Sequence, residues 1–358
     1  MNAPARTSVL AGLTTALAAA ATLGRSYRRF DWQSAEDERH RARTADGWNL
    51  ALYRYRPRGT PRPLPVLCGH GMAGTHLIYD LHPDYSLARY LAGQGFDTWL
   101  VDLRGRGDSW PDGGPDPRLQ WTFDDFAARD LPAAVECVRA LGGSDAVLWI
   151  GMEMSGQALY AAAVLGTAAH VRAAVTCGSP VVTPASALVP GVTSAPRARR
   201  HGRVPFRAGA RFAGPVLAYA GAAVLESSFR RCNSDPLAVA RYFRNGIPDE
   251  ATDLVDQFAA WIRRGAMTAA DGSLDYAAGL ADVRLPLLLL AAARDLQRPP
   301  EAVEAALAAF GSADKRVVRV GTAAGFSVDY GHDDLLAGLA APREVFPLVA
   351  SWLAEHSR

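Results

Sequence analysis

Residues 151–156 read Gly151-Met152-Glu153-Met154-Ser155-Gly156. Ahead of them Ala146-Val147-Leu148-Trp149-Ile150 is a short apolar run that reads as a buried strand. Behind them Gln157-Ala158-Leu159-Tyr160-Ala161-Ala162-Ala163 suits a helix. A strand that turns sharply into a helix strains the backbone of its central residue, so the residues two before and two after must be small. Gly151 and Ser155 meet that demand around Glu153. Centring the turn on Ser155 instead puts Glu153 and Gln157 at the small positions, a much worse fit. Glu153 is therefore the residue the turn presents, at a point where the motif ordinarily carries a nucleophile.

Working outward, strands and helices alternate on both sides of this turn. Residues 41–56 alternate as two antiparallel strands around Asp46-Gly47. A buried strand at 64–68 ends in Gly69-His70-Gly71, a helix follows at 86–94, and another strand at 97–103. Residues 123–141 form an amphipathic helix with Leu131-Pro132 as an early break. Past the turn, 172–177 is a strand; 285–292 and 317–320 are later ones, with helices at 300–310 and 342–355. This rhythm predicts an α/β fold with a mainly parallel, eight-stranded sheet covered on both faces. Between about 180 and 283 the rhythm stops, and helical patterns occupy 214–229, 236–243 and 249–264. So long an insertion, between the sixth and seventh core strands, reads as a helical lid. The organisation expected is an N-terminal apolar segment and linker at 1–39 and one domain at 40–358, without internal repeats.

Composition narrows the class. With 358 residues, 49% of them hydrophobic, the chain can bury a large core, and a net charge of +2 gives no pull toward nucleic acid. Lys315 is the only lysine, so an isolated arginine carries little information. Cys68, Cys137, Cys177 and Cys232 show neither CxxC nor Cys/His spacing and read as free thiols, two of them in core strands. With no dinucleotide fingerprint, P-loop or metal motif, no cofactor and no metal are expected. Residues 8–24 are uncharged, apolar and Ala-rich, and Arg25, Arg28 and Arg29 follow. Ala-x-Ala sites near 18–21 would suit a secretory signal, and the length approaches that of the shortest spanning helices, roughly 17 residues. The heavier positive flank lies on the C-terminal side, against Arg6 alone before the run, which is wrong for a signal peptide. A helix lying on the domain or on a membrane surface is preferred, with a cytoplasmic or membrane-associated location.

In such sheets ligands gather at the carboxyl ends of the strands. Four of those ends carry candidate groups: His70-Gly71-Met72, Glu153, Asp295, and His332 within Asp329-Tyr330-Gly331-His332-Asp333-Asp334. The order of elbow residue, acid and histidine matches a hydrolase triad. With these residues in place, 40–358 resembles the α/β-hydrolase superfamily. The segment 69–109, with Tyr79-Asp80-Leu81, Gly95-Phe96-Asp97 and Asp102-Leu103-Arg104-Gly105-Arg106-Gly107, is similar to acid (gastric-type) lipases and to polyhydroxyalkanoate synthases. Trp121-Thr122-Phe123-Asp124-Asp125-Phe126 again resembles the lipase branch. Those lipases carry Ser at the elbow and the synthases Cys, so their reaction does not transfer as a whole to Glu153. The resemblance implies an oxyanion hole from the backbone N–H groups of Met72 and Met154, and an Asp295 that orients His332 as base.

A carboxylate at the elbow has several uses. It can attack an epoxide or alkyl carbon, attack an acyl group to give a mixed anhydride, activate water, or pair with His332 and keep it protonated. The branch resembled implies an apolar ester, lactone or thioester as substrate and an atypical Glu153, Asp295, His332 set. An epoxide-hydrolase-like enzyme and a non-catalytic ligand-binding protein are the alternatives. Lid hydroxyls for an epoxide mechanism are Tyr219, Tyr242 and Tyr276, none singled out by the sequence. His70 is expected to orient its loop, and Asp329, Asp333 and Asp334 to be solvated surface. The basic run Arg197, Arg199, Arg200, His201, Arg203, Arg207 and Arg211 suits an anionic substrate, a membrane surface or a solvated loop. Nothing in the sequence fixes the oligomeric state.

Overall fold

The computed structural model describes residues 27–115, 120–182, 202–221, 225–226 and 228–358. In chain order the strands are β1 (Glu38–Arg43), β2 (Trp48–Tyr55), β3 (Val66–Gly69), β4 (Thr98–Val101), β5 (Trp110–Pro111), β6 (Val147–Met152), β7 (Val171–Cys177), β8 (Arg203–Val204), β9 (Glu250–Ala251), β10 (Leu287–Ala292) and β11 (Lys315–Val320). The main sheet runs β1-β2-β4-β3-β6-β7-β10-β11, with β5 as a short extra ribbon on β2. β1, β2 and β4 pair antiparallel in turn, and from β4 onward every pairing along the path is parallel. This is the eight-stranded, mainly parallel sheet expected from the sequence.

Both faces of the sheet are buried, which is why its strands read as continuous apolar runs. Val66, Leu100, Leu148, Ile150, Leu288 and Leu290 enter one cluster. Leu67, Trp99, Val147, Trp149, Leu287 and Leu289 enter the other. Helices α1 (Leu87–Gly93) and α8 (Ala341–Glu355) cover the first face through Leu87, Leu91, Phe346 and Val349. Helices α2 (Leu131–Gly142), α3 (Met154–Leu165) and α7 (Pro300–Ala309) cover the second through Val135, Leu159 and Val303. The break expected at Leu131-Pro132 takes the form of a π turn at Phe126–Asp130 that runs into α2, since Pro132 has no N–H to donate.

The insertion between β7 and β10 contains α4 (Phe206–Ala220), α5 (Pro236–Asn245) and α6 (Thr252–Arg264), with β8 and β9 paired antiparallel at its base. Here one expectation is corrected: the helix expected at 214–229 begins at Phe206 and ends before Gly221, with Pro215 inside it. Its first turn is fixed by Asp249, whose Oδ1 accepts from the Arg207 N–H at 2.8 Å. A carboxylate supplied from forty residues downstream leaves no local sign, so Gly214-Pro215 was the more visible starting point. The apolar run at 8–24 and Arg197, Arg199, Arg200 and His201 lie outside the described residues. Among the described residues, no helix is long and apolar enough to cross a membrane.

Candidate active site

β6 ends at Met152, and Glu153 follows with φ 47° and ψ −107° before α3 begins at Met154. A bulky residue with positive φ is strained, and its surroundings hold it there. Its N–H donates to the Cys177 carbonyl at 2.8 Å, and its own carbonyl accepts from Ser179 Oγ at 2.9 Å. A Cβ on Gly151 would stand 2.6 Å from Gly156, so the turn tolerates only glycine at that position. Ser155 is fully buried and donates to the Gly69 carbonyl at 2.5 Å and the Met152 carbonyl at 3.0 Å. The strained position thus belongs to Glu153, while Ser155 ties the turn to the end of β3.

The Glu153 carboxylate folds back over the loop that leaves β3. Its Oε2 accepts from the Met72 N–H at 2.7 Å, and the Met154 N–H also bonds to the carboxylate. The other oxygen, Oε1, pairs with Arg298 Nη2. A Cβ on Gly71 would lie 3.2 Å from Oε2, so the bare backbone there leaves the carboxylate its room. Burial raises the Glu153 carboxyl, but the charges of Arg298 and His332 and the two N–H groups outweigh it, and the group is held below the ordinary glutamate range.

His332 and Asp295 meet as the order of motifs implied, with Nδ1 and Oδ2 2.6 Å apart. The second Asp295 oxygen accepts from the backbone N–H groups of Gln297 at 2.9 Å and Arg298 at 2.7 Å. Burial lowers the His332 pKa, yet the Asp295 charge and hydrogen bond, with Asp333 and Glu153 beyond, push it up to about 9. His70 lies beneath this loop: its Nδ1 bonds the Gly71 carbonyl at 2.8 Å and its Nε2 accepts from the Leu103 N–H at 3.1 Å. Burial and Arg106 lower it to about 4, so it is neutral and links two loops.

Asp333 and Asp334 correct the expectation of solvated surface. Asp334 is fully buried and accepts from the Gly331 and Arg230 N–H groups and the Ser234 hydroxyl. Asp333 stands beside His332, and burial pushes its carboxyl up to about 7. Asp329 alone behaves as expected, half-exposed and bonded to Thr322. Among the described residues there is no group of His, Cys, Asp and Glu able to hold a metal.

These groups close one end of a cavity of about 550 Å³. Its walls include Ile78, Met152, Phe206, Leu217, Phe243 and Val255, and its polar end holds Glu153, Arg298, His332, Asp333 and Tyr242. Among the described residues, neither the Tyr242 hydroxyl nor the Asp333 carboxyl has a hydrogen-bond partner. Of the three tyrosines considered, Tyr219 is half-exposed and Tyr276 donates to Asp124, so Tyr242 alone faces Glu153's cavity.

Two contributors escaped the sequence. Arg298 follows Asp295 by three residues and precedes Pro299-Pro300, a weak signal that a charge sits at a strand end. Glu250, at the base of the insertion, accepts from the Ala73 N–H at 2.6 Å and from Arg106 Nη2 at 2.7 Å to each oxygen. Ala73 has φ 50°, so this carboxylate secures a strained residue next to Met72.

A family model described as "alpha/beta hydrolase fold" matches residues 65–329. The chain is 33% identical to gastric triacylglycerol lipase of Bos taurus over 129 residues, 32% of this chain and 31% of that protein. It is also 33% identical to a poly(3-hydroxyalkanoate) polymerase subunit of Haloferax mediterranei over 107 residues, 29% of this chain and 20% of that one. The chain thus spans less than a third of the length of these relatives. Among solved structures, a thermophilic esterase from Thermogutta terrifontis aligns with a TM-score of 0.59 at 18% identity, over 90% of this chain and 100% of that one. A monoacylglycerol lipase from Paleococcus ferrophilus aligns at 0.56 and 16% identity, over 85% and 99%. At such identities the structures share the fold alone.

Proposed function

The chain belongs to the α/β-hydrolase fold family, and from that premise we propose that it is a hydrolase of an apolar substrate in which the Glu153 carboxylate is the nucleophile. The observation that carries this reading is the seat of the Glu153 carboxylate, whose Oε2 accepts from the Met72 N–H at 2.7 Å while the Met154 N–H also favours the ionised group. In the serine form of the site, such a hole receives the substrate's carbonyl oxygen. Here the enzyme's own carboxylate fills it. That suits chemistry in which the carbonyl under attack belongs to Glu153.

The steps follow from the geometry. Released from Arg298, Oε1 attacks a saturated carbon such as that of an epoxide, and the carbon–oxygen bond breaks. Tyr242 gives its proton to the departing alkoxide. Oε2 is then the carbonyl oxygen of a glutamyl ester and already lies in the hole. Neutral His332, steadied by Asp295, takes a proton from water, and the water oxygen adds to the Glu153 carboxyl carbon. The negative charge that forms on Oε2 is met by the Met72 N–H, with the Met154 N–H beside the carboxyl. Collapse releases the alcohol oxygen and restores the carboxylate, while proton transfer from His332 resets the site and Tyr242 recovers its proton.

The second reading keeps an ester, lactone or thioester as substrate, and the 33% identity to a triacylglycerol lipase favours it. It requires Glu153 to leave the N–H pair so that a substrate carbonyl can enter, with water activated by Glu153 or His332. A panel of epoxides, esters, lactones and thioesters, run with wild type and Glu153→Gln, identifies the class. One turnover in ¹⁸O-water then separates the mechanisms. Label in Glu153 and not in product supports the glutamyl ester; label directly in product overturns it.

A further inference from the structure

One helix of the insertion has two apolar sides. Phe206, Ala210, Ala213 and Leu217 of α4 line the cavity. Phe212, Val216 and Tyr219, spaced four and three residues apart, form a separate stripe and are 64%, 57% and 50% exposed. Scattered apolar residues on a surface are ordinary, but three large ones in line on one helix form a patch that calls for a partner.

The surroundings of the stripe are basic. The Tyr27 hydroxyl donates to the Phe212 carbonyl at 2.8 Å, which brings the segment bearing Arg28 and Arg29 alongside. The Arg29 guanidinium lies 4.6 Å from the Phe30 ring centre and 5.3 Å from that of Tyr219. Arg207 and Arg211 stand on α4 itself, and burial with the neighbouring charges of Arg244 and Arg207 lowers the Arg211 pKa. Among the described residues, none of Arg28, Arg29, Arg207 and Arg211 forms an ion pair. Asp31, the carboxylate nearby, is engaged by Arg244 at 2.8 Å.

We propose that the Phe212–Val216–Tyr219 face of α4, with Arg29 against Tyr219 and Arg28 and Arg211 on the flanking segment and helix, docks on an anionic lipid bilayer surface. Apolar side chains at the acyl boundary and arginines at the headgroups are the two contributions that hold a helix in an interface. A second copy of the chain is a poorer occupant, because a two-fold contact through this face would set the same unpaired arginines against one another. The inference stands whether or not Glu153 reacts.

Flotation of the full chain with phosphatidylcholine vesicles, with and without phosphatidylglycerol, tests it. Binding is expected only with phosphatidylglycerol and should weaken as salt rises. Phe212→Gln, Val216→Gln and Tyr219→Gln together should weaken it by about tenfold or more, with the thermal midpoint unchanged. Phe212→Trp alone should gain fluorescence quenched by brominated lipid, which reads the same contact without removing it. The proposal is overturned if wild type does not bind, if it binds neutral vesicles equally well, or if the triple variant binds like wild type. Absence of quenching in Phe212→Trp, or a wild-type dimer that the triple variant dissociates, overturns it as well.

Discussion

Two glutamate–arginine pairs lie close to the same loop, and they differ in what each carboxylate faces. Glu250 and Arg106 are both sealed, at 0% exposure, with two contacts of 2.7 Å and the Ala73 N–H as a third partner. Glu153 and Arg298 are nearly as buried, at 5% each, but they line a cavity. Burial dominates at Glu250 and raises its carboxyl in spite of Arg106. At Glu153 the charges of Arg298 and His332 and two N–H groups win against burial and keep the carboxylate ionised. In the proposed mechanism, a buried acid–base pair is a structural clamp or a reactive group according to what fills the space beside it.

The sharpest way to break this contrast is through turnover. Glu153→Gln should lower kcat/KM by about a thousandfold or more, measured on whichever substrate the panel reveals, with a smaller loss of stability than Glu250→Ala because the amide still accepts from Arg298. A Glu153→Gln enzyme that turns over like wild type would place both pairs in the structural class. Glu250→Ala should act the other way round. It leaves a buried guanidinium and the Ala73 N–H without partners, at a cost of about 3–5 kcal/mol, read by urea unfolding. Equal stability of that variant and wild type would show that the sealed pair is no clamp.

The pH dependence sharpens the open pair further. In the proposed mechanism His332 must be neutral to take a proton from water, and despite burial Asp295 pushes its pKa up to about 9. The expected kcat/KM therefore climbs as pH approaches 9 and levels above it. Stability moves oppositely: the proton on His332 stabilises the fold fully below about 6.5 and is lost as pH rises through 9. Asp295→Asn should shift the kinetic limb to lower pH and flatten this stability change. Asp333→Asn, which removes a weaker neighbour, should move the limb in the same direction by a smaller amount. A limb that stays near 9 in Asp295→Asn would assign it to another group.

How much of this was legible in the sequence depended on whether the cause was local. The turn at Glu153 was visible because a strained backbone demands small neighbours, and Gly151 and Ser155 supply them. Asp295 was visible because it follows a strand made apolar on both faces, and His332 because it completes the order of elbow residue, acid and histidine. The 206–220 helix was misplaced because Asp249, far along the chain, fixes its start. Arg298 and Glu250 were missed for the same reason: each matters through a partner more than a hundred residues away. Asp333 and Asp334 looked like surface because charge clusters usually are, and only the packing around His332 reverses that.

Asp249 and Glu250 are adjacent, and they reach in two directions. Asp249 holds the Arg207 amide at the start of α4, and Glu250 holds the Ala73 amide beside Met72. Two backbone hydrogens, one at the start of α4 and one on the loop after β3, thus hang from one dipeptide. In deuterated solvent their exchange should run in step: whatever lifts the start of α4 also frees the loop at Ala73. The Ala73 amide is then a local clock for the opening of the insertion, readable by mass spectrometry of its peptide before any substrate is known.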